Sequence, residues 1–191
     1  MTTDLGRPRN PRIDSAVLDA TVELVGKTGY AALSVDAIAR RARTSKPAIY
    51  RRWSSKAHLV HEAVFPISEA TDLPDTGSLA GDVREMVRRT VAVLTTPAAR
   101  AALPGLVGEM AADLTLHAAL LERFGGILSR GLTERLADAV MRGEARPDVT
   151  AADLTEAVAG ITFMALLTRG TELDEAWVDR TATLITRGIC A

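Results

Sequence analysis

Apolar residues recur along this chain at intervals of three and four, and no stretch alternates apolar with polar. Ile13, Ala16, Val17, Ala20, Leu24 and Val25 fall on one stripe of a helix over residues 13–28. Helical spacing lets one face of a segment be buried while the other stays wet; a half-buried strand needs strict alternation instead. The pattern predicts an all-α fold. Apolar residues are 47% of the 191, which is enough for a sizeable core.

Punctuation between the stripes sets the helix boundaries. Gly29 reads as the residue just past the first helix, where left-handed backbone ends it. Ser34 can cap a second helix carrying Val35, Ile38, Ala39 and Ala42. After a short break at Arg43-Thr44-Ser45, a third helix is expected over about 46–52. Ser54 or Ser55 can cap a fourth, which should end near Phe65 because Pro66 lacks an N–H. The polar stretch 68–78 reads as a link. Beyond it, helices are expected at about 79–95, 98–111, 115–142, 151–169 and 174–188. Thr96 and Pro97 suit a helix start, and Thr150 with Asp153 forms a capping box. Pro104-Gly105 is expected to break its helix, and Gly125-Gly126 to weaken the next.

Charge divides the chain in two. Residues 1–56 hold 11 Lys/Arg and 5 Asp/Glu, whereas residues 57–191 hold 12 Arg, no lysine and 19 Asp/Glu. A basic head on an acidic body suggests that the head meets a polyanion. It also argues against a non-specific DNA-compacting protein, which would be basic throughout. The single cysteine, Cys190, cannot form an internal disulfide, which favours a reducing compartment. The polar N-terminus has no apolar signal core, and the longest apolar run, residues 157–167, is shorter than the roughly 20 residues that cross a bilayer. A cytoplasmic location with no membrane partner is expected. His58, His61 and Glu62 form HLVHE, which is not the H-E-x-x-H pattern of a zinc hydrolase. No metal, cofactor or catalytic residue is expected, and the chain does not read as an enzyme.

The function-bearing segment is residues 35–53, VDAIARRARTSKPAIYRRW. Two short helices flank a tight turn, the layout of a helix-turn-helix whose second helix enters the DNA major groove. Ile38, Ala42 and Ile49 are apolar where the pair must pack on helix one, and small Ala39 permits a close crossing. Ser45 can cap the third helix, and Pro47 is tolerated in a first turn whose N–H groups lack intrahelical partners. Lys46 can reach a phosphate or a guanine edge, and Ala48 suits a thymine methyl. Tyr50 can donate its hydroxyl to a phosphate, and Arg51 and Arg52 add charge. Ahead of helix one, Arg7, Arg9 and Arg12 form a basic arm whose GRPR at 6–9 looks like a minor-groove-inserting AT-hook core.

Residues 28–64, TGYAALSVDAIARRARTSKPAIYRRWSSKAHLVHEAV, resemble the N-terminal DNA-binding domain of the TetR family of bacterial transcriptional regulators. The likeness rests on Gly29-Tyr30, Leu33-Ser34, Ile38-Ala39, Ser45, Tyr50, Trp53 and Ser55-Lys56. It implies an N-terminal three-helix helix-turn-helix domain, residues 1–56, followed by a C-terminal helical bundle, residues 57–191, that binds a ligand and dimerises. Helix four, from 56 to about 65, would connect them. It further implies a homodimer on a double-stranded DNA operator, commonly repressing, and released by an unidentified small-molecule effector. By the resemblance, Ser34, Ser45, Lys46, Tyr50 and Lys56 would contact phosphates or bases. The whole expected DNA-binding set is Arg7, Arg9, Ser34, Arg43, Thr44, Ser45, Lys46, Pro47, Ala48, Tyr50, Arg51 and Lys56. One position departs from the family pattern: Arg43 stands where the turn usually holds glycine. If the backbone there has positive φ, an arginine costs about 1 kcal/mol. A phosphate contact by Arg43 is expected to offset that cost.

In the body, the expected apolar ligand site draws on Met86, Thr90, Leu106, Met110, Phe124, Leu128, Phe163, Met164 and Leu167. The last two helices are expected to close a four-helix bundle with a second copy through Leu154, Val158, Ile161, Ala165, Val178, Thr181, Leu184 and Ile185.

Overall fold

A computed structural model describes residues 11–66, 75–170 and 172–190, with backbone alone at 117 and 119–131. Among these residues there is no strand. The helices are α1 (Pro11–Ala32), α2 (Val35–Arg41), α3 (Lys46–Tyr50), α4 (Lys56–Val64), α5 (Leu79–Leu94), α6 (Pro97–Ala112), α7 (Leu114–Met141), α8 (Ala151–Arg169) and α9 (Glu175–Ile189). The fold is all-α, as the periodicity predicts.

Side-chain caps start most of these helices. Ser45 Oγ accepts the Ala48 N–H at 3.3 Å, and Ser55 Oγ accepts that of His58 at 3.0 Å. Ser78, Thr96, Asp113 and Asp174 do the same for α5, α6, α7 and α9. Thr150 and Asp153 form the reciprocal capping box of α8. Each such bond satisfies a backbone donor that would otherwise lack a partner, at about 1 kcal/mol. Ser34 departs from the expectation. It occupies the N-cap position of α2, but its side chain accepts no capping bond.

Gly29 interrupts the regular course of α1 with φ 76° and ψ 166°, a conformation essentially confined to glycine. The kink turns Tyr30 inward, where it is 5% exposed. Pro104, by contrast, does not end its helix: α6 runs unbroken through Pro104 and Gly105 to Ala112. Proline removes a backbone bond at a cost of ~3 kcal/mol. The other face of α6 buries Ala98, Ala99, Ala102 and Leu106, and this packing overrides the local penalty. α7 is likewise one helix across Gly125-Gly126.

Two cores result. The first gathers Val17, Val25, Ile38, Ile49, Trp53, Leu59 and Val60 from α1 to α4, together with Ala99, Ala102 and Leu106 of α6. The second gathers Val83, Val87, Leu132, Leu136, Leu154, Val158, Trp177 and Val178 from α5, α7, α8 and α9. α6 thus packs into the core of the basic head although it lies within the acidic half of the sequence. At the start of α5, the Leu79 N–H donates to Glu144 Oε2 at 2.8 Å, tying that helix to the loop after α7.

Candidate functional site

The turn between α2 and α3 is built as a helix C-terminus. The Arg43 N–H donates to the Arg40 carbonyl at 3.3 Å and the Thr44 N–H to the Ala39 carbonyl at 2.9 Å. This crossed pair is a Schellman motif, and it places Arg43 at the position that must be left-handed. Arg43 has φ 52° and is the one non-glycine residue with positive φ among the described residues. The turn then delivers Ser45 as the cap of α3, and Ile49 pins α3 to the head core at 2% exposure.

That anchorage fixes which side of α3 faces outward. Ser45, Lys46, Pro47, Tyr50 and Arg51 are exposed, and Thr44 and Ala48 are half-buried. Ser34 and Arg43 are exposed on the same helix pair. Arg7 and Arg9 lie outside the described residues. Arg12 falls in the first turn of α1.

Intramolecular pairing sorts the head's cations. Lys46 Nζ lies 2.9 Å from Asp36 Oδ2, and this carboxylate holds the Lys46 ammonium above its ordinary pKa. Arg52 pairs with Asp14 at 2.5 Å, and Arg41 with Glu23 at 2.8 Å. Glu23 also accepts from Lys27, chiefly through which its carboxyl is held below its usual range. Arg40, Arg43 and Arg51 are exposed and make no ion pair with any described residue. Lys56 departs from its expected place. Its ammonium donates to the Tyr30 carbonyl at 3.2 Å, sits 4.1 Å above the Tyr30 ring centroid, and lies 3.9 Å from Glu109. It is committed to a joint between α4, the end of α1 and α6. Within that joint, burial first and Glu109 second push the Tyr30 phenol well above its ordinary pKa.

A cavity of about 500 Å3 opens at the seam between the two cores. His61 and Phe65 line it from the α4 side, Leu103, Leu106, Val107 and Met110 from α6, Met86, Arg89, Thr90 and Val93 from α5, and Thr155, Val158, Ala159 and Phe163 from α8. Its wall is mostly apolar, as ligand sites commonly are. The structure brings together Met86, Thr90, Leu106, Met110 and Phe163 of the expected ligand set. The Phe124 and Leu128 side chains lie outside the described residues. Met164 and Leu167 are placed elsewhere: they are 57% and 61% exposed on the outer face of α8. The sequence reading missed His61 and Phe65, whose rings meet at a tilt of 53° with centroids 5.3 Å apart. Their i, i+4 spacing at the end of α4 is the signal that marks them.

The expected dimer set is also rearranged. Leu154, Val158, Val178 and Ile185 are buried in the chain's own second core, and Ala165 and Thr181, although largely buried, line the floor of a groove on the outer side. The reason is that α8 is apolar on more than one face, and the more continuous stripe is the inward one. Ile161 and Leu184 do reach the outside. With Gly160, Met164 and Thr168 they flank a shallow groove between α8 and α9, where Leu184 is 65% exposed.

With this geometry in place, comparison with known proteins is specific. Residues 17–63 match the family model described as bacterial regulatory proteins, tetR family, and residues 73–185 match that of the tetracyclin repressor-like C-terminal domain. The chain is 30% identical over 184 residues to the HTH-type transcriptional regulator YdeS of Bacillus subtilis, covering 93% of this chain and 90% of that protein. It is 33% identical over 171 residues to the DNA-binding transcriptional repressor TetR of Mycobacteroides abscessus, covering 87% of each. The crystal structure of the TetR family transcription regulator SCO0332 superposes with a TM-score of 0.71 at 29% identity, over 94% of this chain and 100% of that one.

Proposed function

Because the chain belongs to the tetR family of bacterial regulatory proteins and is a DNA-binding transcriptional regulator, we propose that it is a cytoplasmic homodimeric repressor released from a palindromic operator by a small apolar ligand. α3 enters the major groove, with Ser34, Thr44, Ser45, Pro47, Ala48, Tyr50 and Arg51 at or beside the duplex, and the Arg7–Arg9 arm reaches the minor groove. Lys46 joins them by exchanging Asp36 for a phosphate. The groove between α8 and α9 is the contact with the second copy. An exposed apolar strip on two adjacent helices fits a self-complementary C2 interface.

The observation that carries this reading is where the cavity lies. Its wall includes His61 and Phe65 at the end of α4, and only five residues separate α3 from α4. A ligand wedged between the two cores pushes on α4 and α6 from one side and on α5 and α8 from the other. A dimer on DNA must keep its two α3 helices about 34–36 Å apart. A ligand preferring a different spacing weakens operator binding by its differential affinity for the two shapes, tenfold for each ~1.4 kcal/mol.

Selection of duplexes from a random-sequence pool tests this. The expected outcome is an inverted repeat bound by two chains, with half-site centres one helical turn or a multiple apart. A panel of apolar small molecules should then include some that release that duplex. Recovery of unrelated sequences, or one chain per site, overturns the reading.

A further inference from the structure

We propose that Arg43 is a phosphate clamp, kept in a strained backbone conformation because its guanidinium grips the DNA backbone beside α3. The inference rests on the DNA-binding reading above and assigns a specific contact within it. The chain supplies its own control. After α7, the Gly143 N–H donates to the Val140 carbonyl at 3.0 Å and the Glu144 N–H to the Ala139 carbonyl at 2.8 Å. That is the same crossed motif as at residues 39–44, and there the left-handed position is filled by glycine, with φ 73°. Where only the backbone matters, this protein uses the residue that adopts positive φ without steric cost. At the turn of the helix-turn-helix it uses arginine instead.

Folding gives no return for that choice. Arg43 is exposed and pairs with no described carboxylate, while nearby Arg41 and Lys46 are engaged by Glu23 and Asp36. A cation near a helix C-terminus favours the helix dipole, but α2 already carries Arg40 and Arg41 in its last turn. What remains is a planar, permanently charged fork on the turn leading into α3, suited to a phosphate. The doubly bonded turn fixes the Arg43 backbone in advance, so little order is lost on binding. Such a contact adds affinity and register without reading sequence.

The test uses the full-length protein and the duplex it selects from a random pool. Arg43→Gly and Arg43→Asn both accept positive φ. Each is expected to melt at or above the wild-type temperature, Arg43→Gly by about 2–4 °C more. Each should nevertheless bind the duplex roughly tenfold more weakly. The slope of log affinity against log salt should fall by about two, since two copies each lose a contact worth ~0.9. Arg43→Lys should keep the slope. Unchanged affinity and slope in the glycine and asparagine variants overturns the clamp, whatever the melting temperature does. So does a slope lost equally in Arg43→Lys, which would trace the effect to the turn rather than the charge. Wild-type protein that selects no duplex removes the DNA-binding reading and the clamp together, an outcome distinct from a variant that merely matches wild type.

Discussion

Gly105 in the middle of α6 lies flat against Tyr30: a Cβ at Gly105 would stand 2.6 Å from the Tyr30 Cγ and 2.9 Å from its Cβ. These atoms are the root of the side chain, so the ring cannot swing away. The close approach is what lets Lys56 cover the other part of the ring while α6 lines the cavity. Gly105→Ala should cost about 1–3 kcal/mol through overpacking. Thermal melting should show the loss, and the Tyr30→Ala, Gly105→Ala double variant should be less destabilised than the two single losses added. Simple additivity would mean that the two residues do not meet.

If Lys46 reaches the duplex as proposed, Asp36 must compete with DNA for it. Asp36→Asn removes the carboxylate 2.9 Å from the ammonium and leaves Lys46 free to reach the duplex. Operator affinity should rise several-fold at low salt, with a steeper salt dependence. Fluorescence anisotropy over a salt series reads both. A fall in affinity would show that Asp36 positions Lys46 rather than restraining it.

Dimerisation through α8 and α9 is tested with Leu184→Glu and Met164→Glu. Both side chains are more than half exposed in the single chain, so the fold should survive the change. Sedimentation should shift from two copies to one, and operator affinity should drop at least tenfold as the second half-site is lost. A double variant that remains dimeric moves the interface elsewhere.

Acid should loosen the body. Glu85 is held at about 2, chiefly by its hydrogen bonds from Arg88 and then from Arg89, and Glu144 at about 2 by Arg142 and then by the Leu79 N–H. Both carboxyls titrate from 4.5 when freed of these partners. A carboxyl whose folded pKa is depressed contributes stability that is fully present above its unfolded value of 4.5 and is lost as pH falls through the folded value near 2. The urea midpoint should therefore decline between pH 4.5 and 2, and Glu85→Gln with Glu144→Gln should flatten that decline while lowering the midpoint at neutral pH. An acid limb as steep in the double variant as in wild type would refute the assignment.

The head was legible in the sequence because its signals are local. A cap such as Ser45, an anchor such as Ile49 and the turn between them all fall within a dozen residues, and the helical period places each on a face. The body was less so. That α6 survives Pro104 depends on Ala99, Ala102 and Leu106 meeting α1 and α4, a contact that spacing within α6 cannot reveal. On α8, Leu154 and Val158 were indistinguishable by type from Met164 and Leu167. Only packing against Val83 and Trp177 decides which stripe is inside. Lys56 shows the same limit, since its residue type suits a phosphate as well as it suits the face of Tyr30.

Position 29 carries one last consequence. No atom lies within 4 Å of where a side chain would begin, so inspection of neighbours alone would rate it freely replaceable. Its dihedral angles nevertheless exclude every chiral L-residue. In an exhaustive substitution screen scored by reporter output, this empty spot should behave like a core position, intolerant of alanine and of bulk alike, while the full chain carrying D-alanine there, assembled by peptide ligation, should fold.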